Sequence, residues 1–309
     1  MALSTSSRKT YSTGQLRFSN FCKQLHVPPY PLQETTLRLF ASFLARTLSF
    51  QTTQTHLAAI RFHHIELGFP CNFPNMQLLR LLLRGIKRAN GERATLPRQP
   101  ITVIVLKCLK TQLGNSSLPV HDQHMLWAAF TTAFFGFLRS SEFCCPYQNT
   151  YNPSSTLLTS DLKFSSSTVT IYLKVSKADP FRNGINICLA ASGKSVCPLR
   201  ALRNHIDNYP GYVGPVFHFA DGSFLTRHRL STSLGDLLRS TPYSGMNYTS
   251  HSFRIGAATA AAAADVPDWL IKVLGRWSSD CYQRYIRTPS SVIQRIPGLL
   301  ASPPPITKS

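Results

Sequence analysis

Residues 249–288, TSHSFRIGAATAAAAADVPDWLIKVLGRWSSDCYQRYIRT, decide how the rest of the chain is interpreted. His251 and Arg254 stand three residues apart, so their side chains share one face if this segment is helical. The alanine run that follows favours a helix, and Ser250 is a suitable residue to cap its start. We therefore predict a helix that presents an imidazole and a guanidinium side by side.

The second half of this stretch predicts another short helix, followed by a turn. Asp265 and Pro267 signal the helix start, and Gly275 signals its end. The apolar stripe expected to bury this helix is formed by Trp269, Leu270, Val273 and Leu274. The residues of interest after the glycine are Arg276, Trp277, Tyr282 and Tyr285. Guanidinium, imidazole and phenol groups are brought together in this way, and such a set suits a phosphodiester.

The whole string resembles a known family motif. His251 and Arg254, then Gly275, then Tyr285 ten residues beyond that glycine, resemble the second conserved box of the tyrosine recombinases, also called phage integrases. The wording is most similar to the versions carried by Crypton-type and DIRS-type mobile elements. The resemblance implies a DNA breaking and rejoining enzyme whose nucleophile is a tyrosine.

The composition favours a polyanionic partner. The chain of 309 residues has 33 Lys and Arg against 13 Asp and Glu, a formal net charge of +20, which indicates nucleic acid before a membrane surface. We see no apolar run of membrane-spanning length and no signal peptide. We therefore expect an intracellular protein, nuclear if the host is eukaryotic. The eight cysteines form no C-x-x-C pair, so we expect neither structural zinc nor a disulfide framework.

The N-terminal part predicts a small helical bundle without strands. Residues 1–10 look disordered, and four amphipathic helices follow before residue 90. In the resembled family this region is the core-binding domain, a helical SAM-like module that binds one side of the duplex. Basic residues on the polar helix faces are expected to contact the DNA backbone. They are Arg38, Arg46, Arg61, Arg84, Lys87 and Arg88.

We divide the chain into three segments. Residues 1–90 form the helical DNA-binding domain, and the polar residues 91–100, which include Gly and Pro, form a linker. Residues 101–309 form the catalytic domain. That domain is predicted to be α+β, because helical patterns in it alternate with a hairpin and with a short strand at Val216–Phe219.

A second set of residues resembles the first conserved box of the family. Met125 to Phe137 is apolar on nearly all sides and predicts a buried helix. Arg139 follows its end, with Glu142 three residues further on. Taken alone, this pair would be a helix-end ion pair. Beside His251 and Arg254, the resemblance makes Arg139 a catalytic residue.

The region after this box changes to a period of two residues. Thr168 to Val175 and Ile185 to Leu189 alternate apolar and polar residues, and Asn183-Gly184 marks a turn between them. The family carries a catalytic lysine on such a hairpin. Lys177 near the tip is our candidate and Lys174 is its competitor; an ordinary hairpin lysine is only solvated.

The chemistry implied by the resemblance needs neither a cofactor nor a metal ion. Arg139 and Arg254 would stabilise the charge of the transition state, and Lys177 would protonate the leaving 5′ oxygen. His251 would bind the phosphate or accept the proton of the nucleophile. Tyr285 is the nucleophile by its offset from Gly275, whereas Tyr282 is expected to pack.

Two points stay open from the sequence. The family places His or Trp directly after the glycine, and here either Arg276 or Trp277 fills that position. The activity expected is site-specific recombination or integration of a mobile element by a homo-oligomer, a tetramer on double-stranded DNA. A type IB topoisomerase uses the same groups, and a domesticated DNA-binding protein that no longer cuts is the alternative from another class.

Overall fold

The computed structural model describes residues 3, 5–70, 73–90, 97–287, 294 and 297. It divides into two compact units, Met1–Leu96 and Pro97–Ser309. The first unit is helical and the second combines helices with a small sheet, so the predicted fold class is confirmed. Among the residues that the structure describes, no helix has both the length and the apolar character needed to cross a membrane.

The first unit is built from four helices, as the sequence predicts. They are α1 (Thr5–Gln24), α2 (Glu34–Ala45), α3 (Phe50–Glu66) and α4 (Gln77–Asn90). Their apolar stripes meet in one core around Phe18, Phe40 and Ile60, whose side chains are fully buried. The expectation of disorder over residues 1–10 is wrong for residues 5–10, which belong to α1. The apolar stripe of this helix begins later, so no apolar period marks its first residues.

The second unit begins with a helical half. It contains α5 (Val103–Gly114), α6 (Val120–Phe135) and α7 (Ser140–Phe143). The side chains of α6 are buried on nearly all sides, as expected from the apolar run. Residues 91–96 of the predicted linker lie outside the described residues. Gln99 donates a backbone hydrogen bond to Asn247, so the last part of that segment packs within the second unit.

A three-stranded antiparallel sheet follows in the order β1-β2-β3. The strands are β1 (Leu162–Phe164), β2 (Thr168–Leu173) and β3 (Ile185–Ala190). The hairpin of β2 and β3 is the predicted one, with Val169, Ile171 and Leu173 buried on the inner face. The sequence analysis missed β1. The short strand expected at Val216–Phe219 does not form. His218 makes an isolated bridge to Phe224, and the backbone bonds of Val216 to Leu157 and of Leu225 to Phe217 do not extend into a ladder.

Four more helices of the second unit lie within the described residues. They are α8 (Pro198–Asp207), α9 (Arg227–Leu238), α10 (Ser252–Ala263) and α11 (Asp268–Leu274), and a five-residue 3₁₀ helix spans Asp280–Arg284. Two expectations for this region are wrong. Ser250 does not cap α10; His251 occupies the cap position, and the Ser252 hydroxyl accepts a hydrogen bond from the Thr249 amide instead. Ile271, not the predicted stripe, buries α11.

The exposed face of α11 has a physical reason. Trp269, Val273 and Leu274 are 66%, 62% and 42% exposed, although the sequence pattern placed them in a core. The helix has only seven residues, so one buried side chain, Ile271, is enough to seat it on the core. Over so short a helix the spacing of apolar residues does not decide which face is buried.

Candidate active site

The site begins where the buried helix α6 ends. Gly136 follows α6, and a Cβ atom there would lie 2.8 Å from the Thr132 carbonyl oxygen, so a side chain would crowd the turn. Phe137 adopts φ 50°, a left-handed conformation that is costly for a bulky residue. The resulting sharp turn places Arg139 at the start of α7 with its side chain half-buried. Arg139 lies where the sequence predicts it, at the exit of the buried helix.

Glu142 is the centre of the hydrogen-bond network around Arg139. Its side chain is 1% exposed. Oε1 accepts hydrogen bonds from Arg139 Nη1 at 3.0 Å and from the Ser176 hydroxyl at 2.7 Å. Oε2 accepts from the Arg139 amide at 2.8 Å and from Arg276 Nη2 at 2.9 Å. One carboxylate thus links α7, the tip of the hairpin and the turn after α11.

The ionised form of Glu142 is favoured by these partners. Burial alone would raise the pKa of the carboxyl, but the charge of Arg276 outweighs it, together with hydrogen bonds from Arg139 and Ser176. The pKa of Glu142 is therefore lowered. The helix-end ion pair considered from the sequence does exist, and it is one part of a larger network.

Glu142→Gln should lower the free energy of unfolding at neutral pH by about 3–5 kcal/mol, because it leaves the guanidinium groups of Arg276, which is 10% exposed, and of the half-buried Arg139 without their counter-charge. The lowered pKa means that the carboxylate stabilises the fold above its ordinary pKa of about 4.3, and that this contribution is lost as the pH falls through the folded-state value. The gap between wild type and variant should therefore narrow in acid, measured by denaturant unfolding at a series of pH values.

The matched control for that experiment is Asp236→Asn. Asp236 pairs with Arg239 at 2.5 Å, but both side chains are more than half exposed, so the change should cost less than about 1 kcal/mol. An equal loss of stability in the two variants would show that the network around Glu142 stabilises the fold no more than an exposed ion pair does.

Arg254 lies in the first turn of α10 and is fully buried. Nη1 donates to the Phe137 carbonyl and Nη2 to the Gly275 carbonyl. Its guanidinium carbon lies 4.1 Å from the centre of the Trp277 ring and 5.8 Å from that of Tyr285. Burial, followed by the positive charges of Arg139 and Arg276, lowers the pKa of Arg254 below its ordinary value. Like charges are thus crowded here, which favours a bound anion.

Arg276 and Trp277 occupy different places. Arg276 adopts φ 54°, and its side chain is 10% exposed, with guanidinium donors directed to the carbonyls of Gly136, Phe137 and Leu274 and to Glu142. These bonds occupy the guanidinium donors of Arg276 with acceptors of the protein itself. The Trp277 ring lies beside Arg254, and its Nε1 is buried without a hydrogen-bond partner. This arrangement favours Trp277 over Arg276 as the residue that donates to a phosphate.

Gly275 is required by the position of the indole. A Cβ atom at residue 275 would lie 1.6 Å from the Trp277 ring. Gly275 itself has φ −82°, so it is the close approach of the ring and not a left-handed backbone that demands glycine. The sequence signal for a helix end at this glycine was correct in place and different in cause.

The two candidate tyrosines differ in burial. Tyr282 is 4% exposed and belongs to the hydrophobic core, where its ring packs near Trp277. Tyr285 is half-buried at the end of the 3₁₀ helix, and its ring centre lies 5.1 Å from those of both His251 and Trp277. Only Tyr285 of this pair therefore combines proximity to the imidazole with partial access to solvent.

His251 is held in its neutral form. Burial lowers the pKa of its imidazole to about 4, and the charges of Arg98, Arg254, Arg139 and Arg227 act in the same direction. A neutral imidazole near the Tyr285 ring can accept a proton at physiological pH. Arg98 and Arg227 were not singled out from the sequence, and no motif around them could have revealed their proximity.

Lys177 lies at the tip of the β2–β3 hairpin and is exposed. The preceding residue, Ser176, is buried and donates to Glu142, so the hairpin tip is fixed beside Arg139. The competitor Lys174 is engaged elsewhere, since its ammonium contacts Asp161 at 2.5 Å and the Thr156 carbonyl at 3.1 Å. Lys177 is therefore the better placed of the two. Ser176 was overlooked from sequence, although its position before Lys177 could have indicated an anchor.

The basic residues proposed to contact DNA lie in the first unit. Arg46, Arg61, Arg84, Lys87 and Arg88 are exposed, whereas Arg38 is half-buried. On α4, the spacing of Arg84, Lys87 and Arg88 places them on one stripe. Arg80, also exposed and one turn earlier, extends that stripe and was missed by the sequence analysis.

Solved structures resemble this chain over most of its length. A Tn1549 transposon integrase in complex with transposon right-end DNA is 14% identical with a TM-score of 0.62, and the match covers 97% of this chain and 95% of that one. A XerH site-specific recombinase bound to a palindromic difH substrate, a post-cleavage complex, is 14% identical with a TM-score of 0.62 over 95% and 80% of the two chains. XerA recombinase gives 0.50 at 14% identity over 98% and 94%.

The sequence alone matches less. No family model matches this chain, and no curated protein does. At these identities the likeness concerns the fold. The mostly helical architecture with a small three-stranded sheet matches the catalytic fold of these neighbours. The chain has the fold of the tyrosine recombinases and integrases.

Proposed function

We propose that this chain cuts and rejoins DNA strands through a 3′-phosphotyrosine intermediate, as a site-specific recombinase of a mobile element. The observation that carries the proposal is the convergence of three arginines, Arg139, Arg254 and Arg276, around the single carboxylate of Glu142, next to His251 and Tyr285. Such an excess of positive charge suits the extra negative charge of a phosphoryl-transfer transition state.

In each step of the proposed reaction, one bond to phosphorus forms and one breaks. The Tyr285 oxygen attacks the phosphorus, and the bond from phosphorus to the 5′ oxygen breaks. The phenol proton passes to the neutral imidazole of His251, and Lys177 supplies a proton to the leaving 5′ oxygen. Arg139 binds a non-bridging oxygen, and the unpartnered Nε1–H of Trp277 donates to another. A 5′ hydroxyl of the partner strand reverses the sequence, so no cofactor is required.

In the free protein, Arg254 contributes mainly its positive charge and no direct contact with a phosphate. Its two terminal nitrogens donate to backbone carbonyls, so a phosphate would have to displace one of these bonds or approach its unpartnered Nε. The guanidinium group of Arg139 is the more accessible of the two, since its side chain is 21% exposed. We assign first contact with the phosphate to Arg139 and charge compensation to Arg254.

The wider context is proposed from the neighbours and the sequence. The Tn1549 neighbour is a transposon integrase in complex with DNA, and the motif wording resembles Crypton- and DIRS-type elements. Exchange between two duplexes requires a cut in each strand, so we propose a homo-tetramer on DNA. The enzyme would act in the compartment that holds the target DNA, the nucleus in a eukaryotic host.

The proposal is tested with a nicked suicide substrate made from the DNA that flanks the gene of this protein. The wild type should accumulate a covalent adduct that resists denaturant and collapses on proteolysis. Peptide mapping should place the phosphotyrosine at residue 285. Tight binding without any adduct would instead favour a domesticated DNA-binding protein.

Affinity for random duplex DNA should fall steeply with salt, because each neutralised phosphate releases counterions. For six to ten contacts, the loss is on the order of 10³–10⁵-fold between about 50 and about 200 mM salt. Removing two exposed charges of α4 in Arg84→Ala/Lys87→Ala should reduce the slope of log K against log salt by about 2.

The control for the salt experiment is Arg239→Ala. Arg239 is also exposed, but it is paired with Asp236 on α9. Its loss should leave the slope nearly unchanged. Equal slopes for wild type and the α4 double variant would remove α4 from the DNA-binding surface.

A further inference from the structure

Three histidines from distant parts of the sequence meet inside the second unit. His121 lies in the first turn of α6, His205 in the last turn of α8, and His218 in the segment that leads to α9. All three are buried, at 4%, 1% and 7% exposure. Each offers a ring nitrogen, and these atoms lie within 4.8 Å of one another. Within the described ranges this is the group of His, Cys and acidic side chains that has metal-ligand spacing.

The ring nitrogens are short of hydrogen-bond partners. Neither nitrogen of His121 has one, and Nδ1 of His205 and Nδ1 of His218 also lack one. Buried polar atoms are normally satisfied, so such a concentration of exceptions in one place requires an explanation. Ring packing supplies only part of it. Tyr209 packs against His121 and Tyr212 stacks on His218, and neither contact satisfies a nitrogen lone pair.

The surroundings fix the rings as metal ligands are fixed. His205 Nε2 lies 2.8 Å from the Val216 carbonyl oxygen, so its proton belongs on Nε2 and its lone pair on Nδ1. His121 Nδ1 lies 3.3 Å from Asp122 Oδ1 without making a hydrogen bond, so we assign the other nitrogen, Nε2, to a ligand.

We propose that His121, His205 and His218 bind a divalent transition metal, Zn²⁺, as a structural site that links α6, α8 and the segment before α9. Imidazole nitrogen suits this ion, and tetrahedral Zn–N bonds of about 2.0–2.1 Å require nitrogens about 3.3 Å apart. The rings would close by at most about 1.5 Å from their present separation. The fourth position is left to water, and Asp122 supplies negative charge beside His121.

The site was not foreseen from the sequence. The cysteine spacing argued against zinc, and three single histidines so far apart form no motif. The three histidines contact Asp122, Val216, Phe217 and two tyrosines, Tyr209 and Tyr212, and we assign them no step in the proposed reaction. The failure of the zinc site and the failure of the proposed function are therefore separate results.

The first test measures metal content and thermal stability of the full chain. After dialysis against Zn²⁺ and then against metal-free buffer, the wild type should retain one equivalent, and its Tm should rise relative to chelator-treated protein. The zinc X-ray absorption spectrum should show imidazole nitrogens at about 2.0 Å in a four-coordinate shell. A six-coordinate oxygen shell, or no retained zinc, would overturn the proposal.

His121→Phe separates a metal site from simple packing. Phenylalanine keeps the ring and removes two nitrogens that have no partner in the metal-free protein. Without zinc the variant should therefore be at least as stable as the wild type, and with zinc it should show no rise in Tm and retain no metal. The control His228→Gln, an exposed histidine of α9, should behave like the wild type. A rise in Tm in His121→Phe equal to that of the wild type would refute the site.

Discussion

Tyr285→Phe should abolish the covalent protein–DNA adduct and lower the rate of strand cleavage on the order of 10⁴-fold or more. The change removes one oxygen and keeps the half-buried ring, whose centre lies 5.1 Å from those of His251 and Trp277. Folding and DNA affinity should therefore hardly change, with a difference in the free energy of unfolding within about 0.5 kcal/mol. Gel analysis of nicked substrate and a binding titration measure the two effects separately.

Tyr282→Phe is the matched control for this experiment. Tyr282 lies three residues before Tyr285 in the same 3₁₀ segment, but it is buried in the core and packs near Trp277. Its variant should still form the adduct, more slowly if the indole shifts. An adduct that persists in Tyr285→Phe and disappears in Tyr282→Phe would mean that the alignment from Gly275 onward is wrong.

The fold could be predicted where the sequence pattern extends over several turns. The helices of the first unit and the β2–β3 hairpin each have an apolar period that only one type of element satisfies, and α6 has an apolar run long enough for a buried helix. The failures fall on short elements. In α11, a helix of seven residues, one side chain was enough to choose the buried face.

For the candidate site, the identities of the residues could be predicted, but the interactions among them could not. Residue identities came from the motif, and the structure brings Arg139, His251, Arg254 and Tyr285 into one region. The interactions among them depend on contacts between distant segments. The link from Ser176 through Glu142 to Arg276 joins three such segments, and no local pattern encodes it. The same holds for the three buried histidines.

The choice between Arg276 and Trp277 is an example of an interaction that sequence alone does not predict. Sequence alone allowed either side chain to fill the position after the glycine. The choice follows from the left-handed backbone at Arg276, which turns its guanidinium inward to Glu142 and leaves the indole of Trp277 beside Arg254. The proposal that Trp277 fills this position therefore rests on the backbone conformation of one residue.

Arg139→Ala should lower the rate of single-turnover cleavage by about 10²–10³-fold while leaving DNA affinity nearly unchanged, because its fork is needed most when charge builds up on the phosphate. Its cost in stability should be small, about 1–2 kcal/mol, since Glu142 keeps its bonds to Arg276 and Ser176. Rates are measured on nicked substrate and stability by denaturant unfolding.

Arg254→Ala should lose cleavage to at least the same extent, and unlike Arg139→Ala it should also lower the free energy of unfolding by about 2–5 kcal/mol. Arg254 is fully buried and donates to the carbonyls of Phe137 and Gly275, which would be left without partners in a cavity. Rates are therefore compared at a temperature where both variants are folded, as judged by circular dichroism. Cleavage at nearly the wild-type rate by either variant would exclude that arginine from the site. Equal stability of the two variants would instead show that the buried bonds of Arg254 do not support the fold.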